Sequence, residues 1–320
     1  MVDGQKWLQR QTQRLLQGVS RLMTEPMRHP AASPIAEKPP EAVPENMSGI
    51  ANPGGLELHT YMPHQLPVGA PLVVVLHGCG QQAEEFATQS GWRYLAARHH
   101  FALLMPGQSE ANNPQTCFNW FRPGDIKRGA GEVQSVVEMV AAVLRQTRGD
   151  PKRVFVTGLS AGGAMTAALL AAYPDVFAGG AVVAGLPAGA ASNVVSAMSR
   201  MAGRGAAHDP MEWAALARRL GPPLYLGKYP RVSIWQGLID PVVAASNGRD
   251  VASQFAALHG LTQSVSKPVG AGMHHTLWGG TGAPQVELWE LDLAGHIYPT
   301  ALDAGISASH EIGKFWGIVG

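Results

Sequence analysis

The chain is poor in charge, nearly free of cysteine and without any long apolar run. Only 15% of its 320 residues are Asp, Glu, Lys or Arg, and Lys plus Arg (24) nearly balances Asp plus Glu (23). A balanced, weakly charged chain offers no extended field for nucleic acid or an acidic partner. Two cysteines, Cys79 and Cys117, exclude a disulfide-dense scaffold while leaving one bridge open. No stretch of 18 apolar residues exists, which excludes an ordinary membrane-spanning helix. No Cys, His and carboxylate group takes a metal-ligand spacing, so neither metal nor cofactor is expected. What is abundant is apolar residue (46%) and glycine (38), the mixture of a compact α/β body with many tight turns.

Three segments differ in composition. In residues 1–24, Trp7, Leu8, Leu15, Leu16, Val19, Leu22 and Met23 recur at helical spacing among Lys, Arg and Gln. They predict a basic amphipathic helix suited to packing on its own body or to attachment at a surface or granule. Lacking a continuous apolar core and a small-residue cleavage site, this segment does not read as a secretory leader, so the sequence by itself points to the cytoplasm. Residues 25–53 carry prolines at 26, 30, 34, 39, 40, 44 and 53 with almost no large apolar residue and read as a linker.

Residues 54–320 read as one body. Leu56 to Tyr61 alternates like an edge strand, and Pro71 to Leu76 is a continuous apolar run, as in a strand covered on both faces. A helix over 82–99, a strand over Phe101 to Met105, a helix over 131–147 and a strand over Arg153 to Thr157 follow. Further strands are expected at Phe177 to Val183, Arg231 to Trp235 and Val286 to Leu293, an excursion at Gly185 to Tyr229, and a last helix over Asp303 to Trp316. Alternating strands and helices imply an α/β fold with a mostly parallel central sheet wrapped by helices.

The chemistry centres on Gly158-Leu159-Ser160-Ala161-Gly162, which fits G-x-S-x-G between a strand and a helix. A serine on such a sharp turn needs small residues two before and two after it, and the helix behind it aims N–H groups at a developing oxyanion. A serine hydroxyl needs a base, and the base an orienting acid, in the chain order Ser, Asp or Glu, His. Asp240, on the turn after the Arg231 strand, is the candidate acid. His296, on the loop after the last strand, is the candidate base; His274 and His275, in the glycine-rich stretch 270–282, are its rivals and can line a pocket. The oxyanion donors are expected at Ala161 and at Cys79 or its neighbour, with His77 fixing that turn.

His77-Gly78-Cys79-Gly80-Gln81, Cys117-Phe118-Asn119-Trp120-Phe121, the Ser160 turn, Asp240-Pro241-Val242-Val243 and Gly295-His296 occur in one order. Together they resemble the poly(3-hydroxybutyrate) depolymerase family of esterases, which is related to feruloyl and acetyl-xylan esterases. The resemblance implies the α/β-hydrolase fold and a Ser160–His296–Asp240 triad. It also implies a bridge between Cys79 and Cys117, a polyester or other ester as substrate, and an extracellular setting. Which ester is accepted is expected to be decided by Trp120, the 185–229 excursion and the loop around His275. The chain departs from the family pattern at Phe118, at Gln236 where a His is usual, and at Ile297-Tyr298-Pro299-Thr300 after His296. Two other readings stand beside polyester hydrolysis: a feruloyl or acetyl-xylan type of carbohydrate esterase, and a non-catalytic granule-binding protein that keeps the fold.

Overall fold

The computed structural model describes residues 49–270, 272–280 and 282–320. The helix expected over 1–24 and all but the last few residues of the linker lie outside these residues. The strands are β1 (Glu57–Tyr61), β2 (Leu72–Leu76), β3 (Ala102–Gly107), β4 (Val154–Leu159), β5 (Gly179–Val183), β6 (Arg231–Gly237), β7 (Ser264–Pro268), β8 (Met273–Trp278) and β9 (Val286–Leu291). The helices are α1 (Ala83–Gln89), α2 (Trp92–His99), α3 (Pro123–Ile126), α4 (Gly131–Thr147), α5 (Ala161–Ala172), α6 (Val194–Met201), α7 (Pro210–Arg218), α8 (Ser246–Leu258), α9 (Ala301–Ala304) and α10 (Ala308–Trp316).

The strands form one sheet in the order β1-β3-β2-β4-β5-β6-β9-β8-β7. The run from β3 to β9 is parallel, and β1, β8 and β7 add antiparallel edges. Strands β2 to β5 are buried along their whole length, which is why Leu72-Val73-Val74-Val75-Leu76 is apolar without alternation. Chain order reverses between β2 and β4, so the loops leaving their C-terminal ends flank one crevice. Those two loops carry Cys79 and Ser160. Helix α5 is buried at every residue, and its Ala-rich sequence lets neighbouring elements close on it from all sides.

Several sequence expectations are corrected in detail. The helix over 82–99 is two helices, because Gly91 takes a left-handed φ of 81°. The last helix likewise divides at Gly305 into α9 and α10. The 264–278 stretch, expected as a glycine-rich loop at its end, forms the β7–β8 hairpin, so His274 and His275 lie on a strand. Asp292, expected inside the last strand, falls just beyond it and pairs with His274 at 3.3 Å.

The excursion over 185–229 folds into α6 and α7 and is firmly tied down. Arg200, buried on α6, donates from Nε to Asn247 Oδ1 at 3.0 Å, forms an ion pair with Asp250, and lies 4.7 Å above the Trp213 ring. Gln254 of α8 bonds the backbone of Ala188 and Trp213. The excursion is therefore pinned to α8, the helix that follows the Asp240 turn, at Ala188, Arg200 and Trp213.

Candidate active site

Ser160 sits between β4 and α5 with φ 58° and ψ −117°, a conformation that costs a non-glycine residue about 1–3 kcal/mol. The surroundings impose it. The Ser160 amide donates to Val183 O at 2.9 Å, and its carbonyl accepts from Ala164 N at 2.9 Å. The elbow nests directly on the end of β2, where a Cβ placed on Gly162 would stand 2.3 Å from Leu76 O and 2.5 Å from His77 O. Ser160 is almost fully buried, at 3% exposure. Among the described residues, neither the Ala161 nor the Cys79 amide has a hydrogen-bond partner, so both N–H groups remain available.

The Cys79 turn lies against the serine, since a Cβ on Gly78 would be 3.6 Å from Ser160 Cβ. Its shape is fixed from three sides. Gln81 Oε1 accepts from Gly78 N at 2.8 Å. Gly80 N donates to Thr116 Oγ1 and to Gln115 O, each at 3.0 Å. His77 spans the rest: Gln108 N donates to its Nε2 at 3.1 Å, so the proton rests on Nδ1, which donates to Gly78 O at 2.8 Å. Burial lowers the His77 pKa, which keeps the ring neutral, as one donor and one acceptor require.

Cys79 and Cys117 form a disulfide, joining this turn to the loop that carries Trp120. Closing a loop of 38 residues removes unfolded-state entropy worth about 4 kcal/mol. Phe118 is buried against the His77 ring at 5.0 Å, and Trp120 packs edge-on to Phe121 at 5.7 Å.

Beneath that loop lies a polar cluster with no sequence signature beyond Asn119 in its aromatic motif. Glu132, at the start of α4, is fully buried. Its Oε1 accepts from Asn119 Nδ2 (2.6 Å), Gln108 Nε2 (2.7 Å) and Asn112 Nδ2 (3.2 Å), and its Oε2 from Asn119 N (2.8 Å). Burial, reinforced by Asp125, pushes its pKa up to about 7 despite these donors. The unfolded carboxyl ionises near 4.5, so between those pH values the fold retains a proton that the unfolded chain has lost. Stability from this group is thus full below 4.5 and is lost as the pH rises through 7, by on the order of 3 kcal/mol. Glu132→Gln cannot titrate and also sets an amide N–H₂ against the Asn119 donors. It should melt below the wild type, and the gap between the two melting temperatures should widen as the pH is lowered from 8 to 5. A pH-independent gap would remove Glu132 as the titrating group.

Asp240 and His296 meet at 2.7 Å, Oδ2 to Nδ1. The Asp240 side chain is wholly buried, and its Oδ1 accepts from Val242 N and Val243 N, each at 2.8 Å, which leaves Oδ2 for the histidine. A carboxylate only accepts, so His296 Nδ1 carries the proton and Nε2 presents its lone pair. Among the described residues, that Nε2 is buried with no hydrogen-bond partner. Gln236 donates from Nε2 to Gly237 O (3.1 Å) and Val243 O (3.2 Å) and reaches Asp240 Oδ2 at 3.5 Å. The His296 loop is anchored two residues later, where Trp92 Nε1 donates to Tyr298 Oη at 2.8 Å inside the core.

The structure places Ser160, Asp240 and His296 after β4, β6 and β9, at one end of the parallel run, with Cys79 there after β2. It does not bring the rival histidines to the Asp240–His296 pair. His275 Nε2 is taken by Glu287 at 2.9 Å, and the ring stacks on Trp289 at 3.9 Å. Sequence reasoning missed Glu132, Gln108 and Gln236 as organisers of the loops, because a single Glu or Gln reads as a solvated residue.

A mostly parallel sheet with a strained serine after a central strand, open amides beside it and a buried Asp–His pair after later strands defines an α/β-hydrolase. The chain belongs to the family described as Esterase PHB depolymerase, which its residues 58–273 match, and it is an ester hydrolase. It is 41% identical over 286 residues to the poly(3-hydroxyalkanoate) depolymerase C of Paucimonas lemoignei, covering 84% of this chain and 68% of that protein. It is 32% identical over 218 residues to the feruloyl esterase B of Talaromyces funiculosus, covering 66% of this chain and 60% of that protein, so the chain spans less than two thirds of that relative. The acetyl xylan esterase structure from Aspergillus awamori superposes with a TM-score of 0.73 at 22% identity, covering 84% of this chain and 96% of that one, and shares the fold.

Proposed function

We propose that the chain hydrolyses hydroxyalkanoate polyesters or their oligomers through an acyl-serine intermediate. The observation that carries the mechanism is the buried Nε2 of His296, unpartnered among the described residues, its ring held by Asp240 at the sheet end where Ser160 stands strained. Ser160 Oγ attacks the ester carbonyl carbon and its proton passes to His296 Nε2. The carbonyl oxygen becomes an oxyanion held by the Ala161 and Cys79 amides. Collapse breaks the bond to the alcohol, which leaves with the proton from His296. Water then attacks the acyl-serine, gives a proton to His296, and releases the acid and Ser160. Asp240 holds the imidazole in the tautomer that both steps need. Trp120, on the loop bridged to the Cys79 turn, is assigned to the acyl-site wall.

Polyester is favoured by the higher identity to the depolymerase and by its longer match. The second reading, a feruloyl ester, rests on the relative from Talaromyces funiculosus. Soluble product released from polyhydroxybutyrate film, measured beside hydrolysis of methyl ferulate, separates them. Release from film with little ferulate turnover is expected; the reverse would move the substrate to the plant cell wall.

A further inference from the structure

His275, set aside from the catalytic pair, borders a second recess. A cleft of about 400 Å³ opens between β6, β8, β9 and α10, lined by Arg231, His275, Glu287, Trp289, Lys314 and Phe315 among others. Arg231 begins β6 and Gly237 ends it, which at about 3.3 Å per residue puts the arginine roughly 20 Å from the start of the Asp240 turn; Trp289, paired with Trp235, marks the cleft's nearer side.

Every acid at this cleft already has a partner. Glu287 is buried and bonds Ser233 Oγ at 2.7 Å and His275 Nε2 at 2.9 Å. Glu311 takes Lys314 at 3.2 Å and His310 at 3.4 Å. Arg231 is the cation left over. Its guanidinium lies 4.2 Å over the Phe315 ring, its Nε donates to Pro284 O at 3.0 Å, and among the described residues it contacts no carboxylate. Burial makes its charge costly and pulls its pKa below the usual value; Glu287 offsets part of this from a distance, and among the described residues no carboxylate touches the guanidinium. A guanidinium has five N–H donors in a planar fork that matches a carboxylate, and Arg231 lines the open cleft. The walls beside it include Phe315 and the edge of Trp289, whose faces are stacked on Trp235 and His275, and the volume falls in the range of small-molecule sites.

We propose that this cleft binds a small organic monocarboxylate, its carboxylate paired in a fork with Arg231 and its apolar body against Phe315 and Trp289. An inorganic anion would use the arginine but not the aromatic walls. The ligand class is independent of the ester-hydrolysis reading and does not require it.

The test is calorimetric titration of the full chain with sodium benzoate and with the neutral isostere benzamide. Benzoate should bind saturably, benzamide at least about tenfold more weakly, and Arg231→Met should weaken benzoate by at least about tenfold. Arg231→Lys keeps the charge and the stem but loses the fork, so it should also weaken benzoate; it decides the matter if the methionine variant does not fold. Saturable benzoate binding that is unchanged in Arg231→Lys, equal affinity for benzamide, or no saturable binding up to the solubility limit would each overturn the proposal.

Discussion

Ser160→Ala should lower ester turnover by at least about 10⁴-fold, leaving only what the oxyanion donors and binding supply without a nucleophile. The melting temperature should hardly move. Alanine at this position keeps the Cβ and with it the strain of φ 58°, and the elbow's hydrogen bonds are backbone bonds that the substitution leaves in place. Ser160→Gly should be equally inactive but more stable, because glycine accepts the same φ without the cost. Turnover of short p-nitrophenyl esters and thermal melts of the three proteins check both halves. An alanine variant retaining most of its activity would remove Ser160 from the chemistry.

The second large effect is expected at Gly162→Ala. The added methyl would lie 2.3 Å from Leu76 O and 2.5 Å from His77 O, both backbone atoms of the β2 end. Relief requires the start of α5 to move from β2 by about 1 Å, which is large for a packed interior and costs about 1–3 kcal/mol. That movement parts the Ala161 amide from the Cys79 turn, and a misplacement of this size costs about 100-fold in rate. Gly162→Ala should therefore lose both stability and kcat/KM, whereas Gly124→Ala, whose Cβ meets nothing within 4 Å, should lose neither. Equal behaviour of the two variants would show that the elbow does not depend on its contact with β2.

These effects are large because the Ser160 elbow packs against the Cys79 turn, which is itself held firmly. His77 carries its proton toward Gly78, the disulfide ties Cys79 to Cys117, and Glu132 gathers Gln108, Asn112 and Asn119 under the same loop. The Cys79 turn, the proposed source of one oxyanion donor, is thereby held before any ester arrives, which is the condition for electrostatic stabilisation without reorganisation.

Much of this arrangement is legible in the sequence. A continuous apolar run ending in His77-Gly78-Cys79 and a strand ending at Gly158-Leu159-Ser160 announce buried parallel strands with functional loops. The order of Ser160, Asp240 and His296 follows from the fold that those strands imply. Other features are hidden for physical reasons. The β7 strand, Ser264-Val265-Ser266-Lys267-Pro268, is an exposed edge held by backbone bonds, so it has no apolar pattern to reveal it. Gly91 divides a helix through its left-handed backbone, a choice that a lone glycine does not disclose. Glu132 and Glu287 are buried by partners from distant segments, and their spacing along the chain carries no trace of those partners. His275 follows from the hairpin: once 273–278 is a strand paired with β9, its ring stacks on Trp289, away from the catalytic pair.

The most direct measurement of the central claim is intact-mass analysis after treatment with a fluorophosphonate, applied to the wild type, Ser160→Ala and His296→Ala. One adduct per wild-type chain, mapped to Ser160, absent in the serine variant and formed at least about 10³-fold more slowly in the histidine variant, is the predicted result. Labelling at another residue, or an undiminished rate without His296, would contradict a serine activated by the Asp240–His296 pair.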